Sequence, residues 1–140
     1  MKRAVFRYVE AELYDYPFTV KEIARLRADI VLGGMALENA LLQQHAGGQQ
    51  PDPTREKAIR LITNRRLRRM EETVAAIERV FDGLPPGMQR LVQLRYWERW
   101  GMGHIMAELH ISERTYYRWR AAVVKAVAVE MGLVNAVNAG

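Results

Sequence analysis

With 140 residues and 49% hydrophobic content, the chain can build one domain, or one domain with an attached arm, and global disorder is not expected. It holds no cysteine, which excludes a disulfide framework, a thiolate metal site and a cysteine nucleophile, and suits a reducing cytoplasm. The net charge of +5 is uneven: residues 1–50 hold six bases and six acids, so the whole excess lies in 51–140, and with a pI near 9.8 that half suits a polyanion.

Taken in order, residues 1–42 are expected to form an N-terminal helical pair. Val5, Tyr8, Val9 and Leu13 share one side of the first helix, and Tyr14-Asp15-Tyr16-Pro17 should break it, because the residue before a proline resists helical geometry. Thr19-Val20-Lys21-Glu22 reads as a capping box opening the second helix, with Ile23, Leu26, Ile30 and Leu37 inward. Gly33-Gly34 would weaken or bend that helix, and their ordinary explanation is close helix packing. Residues 43–52 read as a flexible linker and the best boundary in the chain.

Residues 53–83 form a long central helix of roughly 45 Å at the usual rise, with Asp52 as its cap and Pro53 in its first position. Leu67, Met70, Val74, Ile77 and Phe81 step 3-4-3-4 as a short seam. A seam of under three heptads is short for a self-sufficient coiled coil, so intrachain packing is expected and a homodimer is kept as the alternative. Seven bases and one acid crowd residues 53–69, and Arg65, Arg66 and Arg69 are candidates for phosphate contacts. An ordinary solvated face explains them equally well.

Residues 84–133 carry the strongest pattern. Gly83-Leu84-Pro85-Pro86 ends the long helix, and a helix from about Gly87 to Arg99 should brace the hairpin beyond it with Leu91, Leu94 and Tyr96/Trp97. Ile105 and Leu109 share one face of a short helix, His110-Ile111 forms a turn, and Ser112 caps a longer helix. Behind Ser112, Tyr116, Trp119, Val123, Val127 and Glu130/Met131 make an inward stripe. Glu113, Arg114, Tyr117, Arg118 and Ala121 then face outward. Arginine can place two donors on guanine O6 and N7, and a helix fits the major groove. Ser112 and Thr115 can reach phosphate oxygens, Arg120 extends the basic run, and His104 is a weaker phosphate candidate. Double-stranded DNA is the expected partner. Gly132 is the expected helix stop, and residues 134–140 are expected to be a disordered tail.

No catalytic pattern appears. His45, His104 and His110 have no metal-pair spacing, and GxxxxGK[ST], GxSxG and HExxH are absent. The expectation is no enzyme, no cofactor and no metal. The N-terminus lacks an apolar signal core and no apolar run could span a bilayer, so a cytoplasmic protein is expected, with no membrane partner.

Leu94-Arg95-Tyr96, followed by the hairpin that ends in Ser112-Glu113-Arg114-Thr115-Tyr116-Tyr117-Arg118-Trp119-Arg120, resembles the helix-turn-helix of region 4 of bacterial sigma factors. From Lys21 to Leu133 the chain resembles phage-encoded transcriptional regulators of the RinA/ArpU type. The matching pieces are Lys21-Glu22-Ile23, Asp52-Pro53-Thr54, Leu61-Ile62-Thr63-Asn64-Arg65-Arg66-Leu67, Ala76-Ile77-Glu78, Leu84-Pro85, Arg95-Tyr96-Trp97 and the hairpin. It departs from that pattern at Gly101-Met102-Gly103-His104, where a Ser or Thr cap and an acid are usual, and at Met106, where a small Ala is usual. The resemblance implies an all-α fold with a sigma region 4-like helix-turn-helix. It also implies a phage regulator that activates late or packaging genes in a bacterial host, with host RNA polymerase as a further partner. Two other classes stay open: a DNA-packaging protein of small terminase type, which a ring-shaped oligomer would favour, and a sigma-like adaptor that grips polymerase without DNA.

Overall fold

The first 42 residues wind into a single helix that runs straight through a proline. In a computed structural model, which describes residues 1–42 and 52–135 and only the backbone at 35–38, 40 and 41, helix α1 spans Arg3–Leu42 with Pro17 inside it. The expected helical pair is therefore one helix. Proline removes one backbone donor at a cost of about 3 kcal/mol or more in a helix interior. Burial of Val9 and Leu13 before it, and of Ile23 and Leu26 after it, keeps both halves helical. The capping box has no helix start to serve: Thr19 and Glu22 sit mid-helix, and Glu22 instead pairs with Arg25. The position of Leu37 and the linker reading of 43–51 lie outside the described side chains and residues.

The remaining elements are α2 (Pro53–Gly83), α3 (Pro86–Val92), a π-helical segment (Gln93–Trp97), α4 (Met102–Leu109) and α5 (Glu113–Glu130). Among the described residues the fold is all-α, as the sequence implied. Asp52 caps α2 by accepting from the amides of Thr54 (3.1 Å) and Arg55 (3.3 Å), and Pro53 occupies the first turn, where its missing N–H costs nothing. The other end of α2 is closed by the Gln89 side chain, which donates to the Phe81 carbonyl at 2.8 Å.

These helices divide into two compact units, residues 1–18 with 72–140, and residues 19–71. In the first unit Val9, Leu13, Ile77, Val92, Tyr96, Val123, Val124, Val127 and Ala128 form the larger core. Leu91, Leu94, Ile105 and Tyr116 form a second one, with Met102, Met106, Leu109, Ile111 and Trp119 packed around it. The π-helical segment has no counterpart in the sequence expectations. The Glu98 N–H reaches back to the Gln93 carbonyl and the Trp100 N–H to the Leu94 carbonyl, each at 2.8 Å. Val92 and Tyr96, four residues apart, go to the larger core, and Leu91 and Leu94, three apart, to the smaller. Arg99 then ends the segment at φ 58°.

Helix α5 stops as expected. Gly132 takes φ 74°, its N–H bonds the Val129 carbonyl, and the Leu133 N–H bonds the Ala128 carbonyl, the two bonds of a Schellman motif. Val134, assigned to the tail from sequence, packs against the larger core, and residues 136–140 of that tail lie outside the described residues.

In the second unit Ile23 and Leu26 of α1 are buried, Ile30 is half-buried, and Arg27 pairs with Glu71 at 3.0 Å. Gly33 and Gly34 do not mark close packing among the described residues, where a Cβ at either would meet nothing within 4 Å. The seam is shared out. Leu67 and Met70 are half-buried in this unit, while Ile77 is buried in the larger core of the other and Phe81 packs against it. At Ile77 and Phe81 the seam packs within the chain.

Candidate nucleic-acid interface

The α4–α5 hairpin is built by its turn. α4 begins after Gly101, which offers no side-chain cap, and ends at His110 in the left-handed region at φ 53°. Histidine tolerates that region better than most side chains. The Ile111 N–H bonds back to the Met106 carbonyl at 3.1 Å, closing the first helix, and Ser112 opens the second by accepting from the Thr115 amide at 3.1 Å. The Ser112 hydroxyl also donates to Thr115 Oγ1 at 3.1 Å, so both hydroxyls expected at phosphates sit together at the helix start.

The stripe behind Ser112 faces as expected. Tyr116, Val123 and Val127 are buried, and Trp119 is half-buried against the smaller core. Glu130 instead faces solvent and accepts from Arg79 at 2.6 Å, leaving Met131 to pack inward. On the other side Glu113, Arg114, Tyr117, Arg118 and Ala121 are exposed. Arg114 and Arg118 lie one helical turn apart, with Tyr117 between them, 46% exposed and edge-on to Tyr116. His104 is exposed and lies edge-on to Trp100, which is itself 37% exposed.

Arg120 is placed elsewhere. Its Nε donates to Glu10 at 2.9 Å and its Nη2 to the other Glu10 oxygen at 2.6 Å, a bidentate pair that turns it toward α1. The next residue along from Arg118 and Trp119 falls on the flank of α5 nearest α1, and a fork-shaped cation beside a half-buried carboxylate stays with it. Arg120 is thus a structural residue in this geometry and leaves the set of candidate DNA contacts.

Sequence reasoning missed the centre of this network, Glu10. Besides Arg120, Glu10 accepts from the Tyr96 hydroxyl at 2.6 Å, and Arg95 approaches it at 3.4 Å while also donating to the Tyr116 hydroxyl. Burial pushes the Glu10 carboxyl upward. The hydrogen bonds from Arg120 and Tyr96 and the two guanidinium charges outweigh it and hold the group below the ordinary carboxylate range. Burial and the Glu10 hydrogen bond push the Tyr96 hydroxyl well above its usual range, so it remains a donor. Arg95 lies over the rings of Tyr96 (5.3 Å), Tyr116 (5.7 Å) and Tyr14 (5.9 Å). The one available signal was that Glu10 directly follows the core position Val9, where an acid must find a cation.

Arg65, Arg66 and Arg69 are exposed and belong to the unit of residues 19–71, whereas α5 belongs to the other. Arg66 lies 3.6 Å from Glu22. Among the described residues no group of His, Asp and Glu could hold a metal ion, and no helix is long and apolar enough to cross a membrane.

A family model described as protein of unknown function (DUF722) matches residues 19–129. The chain is also 25% identical over 136 residues to the transcriptional activator rinA of Staphylococcus phage phi11, covering 94% of each chain, which bears out the resemblance to RinA-type regulators. No solved structure matches it. With most of its length matched, from within α1 to the end of α5, the chain belongs to the DUF722 family.

Proposed function

We propose that this protein is a phage transcriptional activator that binds double-stranded DNA sequence-specifically through a helix-turn-helix made of α4 and α5. The observation that carries the reading is the outward face of α5. Glu113, Arg114, Tyr117 and Arg118 stand exposed just behind a serine-capped helix start, while the opposite side is buried. A capped helix whose free side offers two arginines a turn apart suits the major groove. Ser112, Thr115 and His104 take the flanking phosphates, and Arg114, Tyr117 and Arg118 read base edges. The likeness to rinA over nearly the whole of both chains supports regulation of transcription, and we take host RNA polymerase as the second partner.

The test starts by selecting bound fragments from the phage genome and sequencing them. Arg118→Ala is then titrated on the selected site and on a scrambled one at fixed salt. The expected loss on the selected site is roughly 1–3 kcal/mol, with the preference for it relaxed. Unchanged affinity for both sequences refutes the role of Arg118, and polymerase capture without any DNA binding refutes the DNA reading.

A further inference from the structure

Arginine and aromatic rings meet repeatedly in the first unit. Arg95 lies over Tyr96 and Tyr116, Arg120 lies 5.1 Å over Phe6, and Glu10 pairs with both. A second cluster of aromatic rings and acids lies between α1, α2 and the π-helical segment. Tyr16 stacks on Trp97 with centroids 4.9 Å apart and planes at 25°, and Phe81 meets the same indole at 5.0 Å. Glu78 and Asp82, one helical turn apart on α2, supply two carboxylates. With Ile77 these residues line a cavity of about 270 Å³.

No cation among the described residues pairs with Glu78 or Asp82. Arg79, their neighbour on α2, is committed to Glu130. Glu78 accepts instead from the Tyr16 hydroxyl at 2.8 Å, which aligns the ring beside the acids. Burial, that hydrogen bond and the two carboxylate charges push the Tyr16 hydroxyl up to about 12, so it stays a neutral donor.

From this geometry we infer that the Tyr16–Phe81–Trp97 cavity is a docking pocket for an arginine side chain of a protein partner, with Glu78 and Asp82 pairing its guanidinium and the rings covering its stem. The volume is below the roughly 300–1,000 Å³ of a cofactor or drug-sized site and suits one long side chain. Aromatic faces attract a guanidinium, a single carboxylate matches its fork, and the second adds negative charge beside it. Carboxylates repel a polyanion, so the surface addresses a cationic protein and not nucleic acid. The inference is independent of DNA binding by α5.

The test uses the full chain with its tryptophan indoles labelled with nitrogen-15, the Trp97 resonance being assigned by its loss in Trp97→Phe. The probes are Nα-acetyl-arginine amide and its citrulline counterpart, which has nearly the same shape without the charge. The arginine probe is expected to shift the Trp97 indole saturably, and the citrulline probe not to. Glu78→Gln with Asp82→Asn, at two exposed positions, is expected to weaken the response about tenfold with the helical signal retained. An equal response to citrulline, or an unchanged response in the double variant, overturns the proposal. A Trp97 shift that grows with protein concentration and no probe assigns the arginine to a second copy of this chain and overturns a separate partner.

Discussion

Replacing Glu10 by glutamine keeps the side chain's shape and removes only its charge. Three donors converge on this carboxylate, the Arg120 guanidinium at 2.6 and 2.9 Å, the Tyr96 hydroxyl at 2.6 Å and Arg95 at 3.4 Å, and its side chain is 12% exposed. Truncating one partner of a fully buried pair costs about 3–5 kcal/mol, because the other charge is left behind. Arg120 and Arg95 retain 24% and 17% of their side-chain exposure, so water recovers part of that cost and about 2–3 kcal/mol is expected. At this chain length that is a fall of roughly 10 °C in Tm. The sign of the shift sets the pH dependence. Glu10 titrates lower in the folded chain than in the unfolded one, so its contribution is complete above the unfolded value near 4.3 and is lost as pH falls through the folded value. The Tm gap between the parent and Glu10→Gln should be constant around neutrality and close on acidification. Calorimetry of Glu10→Gln, Arg120→Met and the double variant measures the coupling. Additivity within about 0.5 kcal/mol, or a gap that persists at low pH, refutes the reasoning.

Gly87→Ala should destabilise by about 1–3 kcal/mol, because a Cβ there would lie 2.9 Å from the Trp119 ring, and urea titration reads it. Gly103→Ala in α4 meets nothing within 4 Å among the described residues and should instead stabilise by about 0.5–1 kcal/mol. Ile77→Asp buries an unpaired carboxylate in the larger core and should abolish the cooperative melt measured by circular dichroism; a folded variant with altered self-association would mean that the seam at Ile77 serves an interface. Replacing Arg65, Arg66 and Arg69 together should weaken DNA binding evenly across sequences and lower the salt slope by about 0.9 for each lost contact. An unchanged slope would make them a solvated or protein-facing surface.

The hairpin was legible because each of its signals is local. Ser112 three residues before the Thr115 amide is a cap whatever surrounds it, and the 3-4 spacing of Tyr116, Trp119, Val123 and Val127 states which side faces in. The same holds for Asp52-Pro53 at the start of α2 and Gly132 at the end of α5. Pro17 misled because its penalty is also local, and burial at distant positions overcame it. Arg120 misled for a related reason. A basic run gives each arginine equal weight, yet two steps along a helix turn a side chain by about 200°, enough to carry Arg120 from the face of Arg118 round to Glu10.

By itself the sequence determined the all-α class, the capped hairpin, the outward arginines and the resemblance that the rinA relative bears out, since caps, periodicity and motif order are properties of neighbouring residues. Tertiary structure alone decided that α1 stays continuous through Pro17, that the chain widens into a π-turn at Gln93–Trp97 and that Glu10 gathers Arg120, Tyr96 and Arg95. It also decided that Tyr16, separated by more than sixty residues from α2's Glu78, closes one cavity with it and Trp97. The pairings of Glu10 and Tyr16 join residues 62 to 110 positions apart, and a carboxylate's partner at that separation is chosen by how the helices pack and not by the residues beside it.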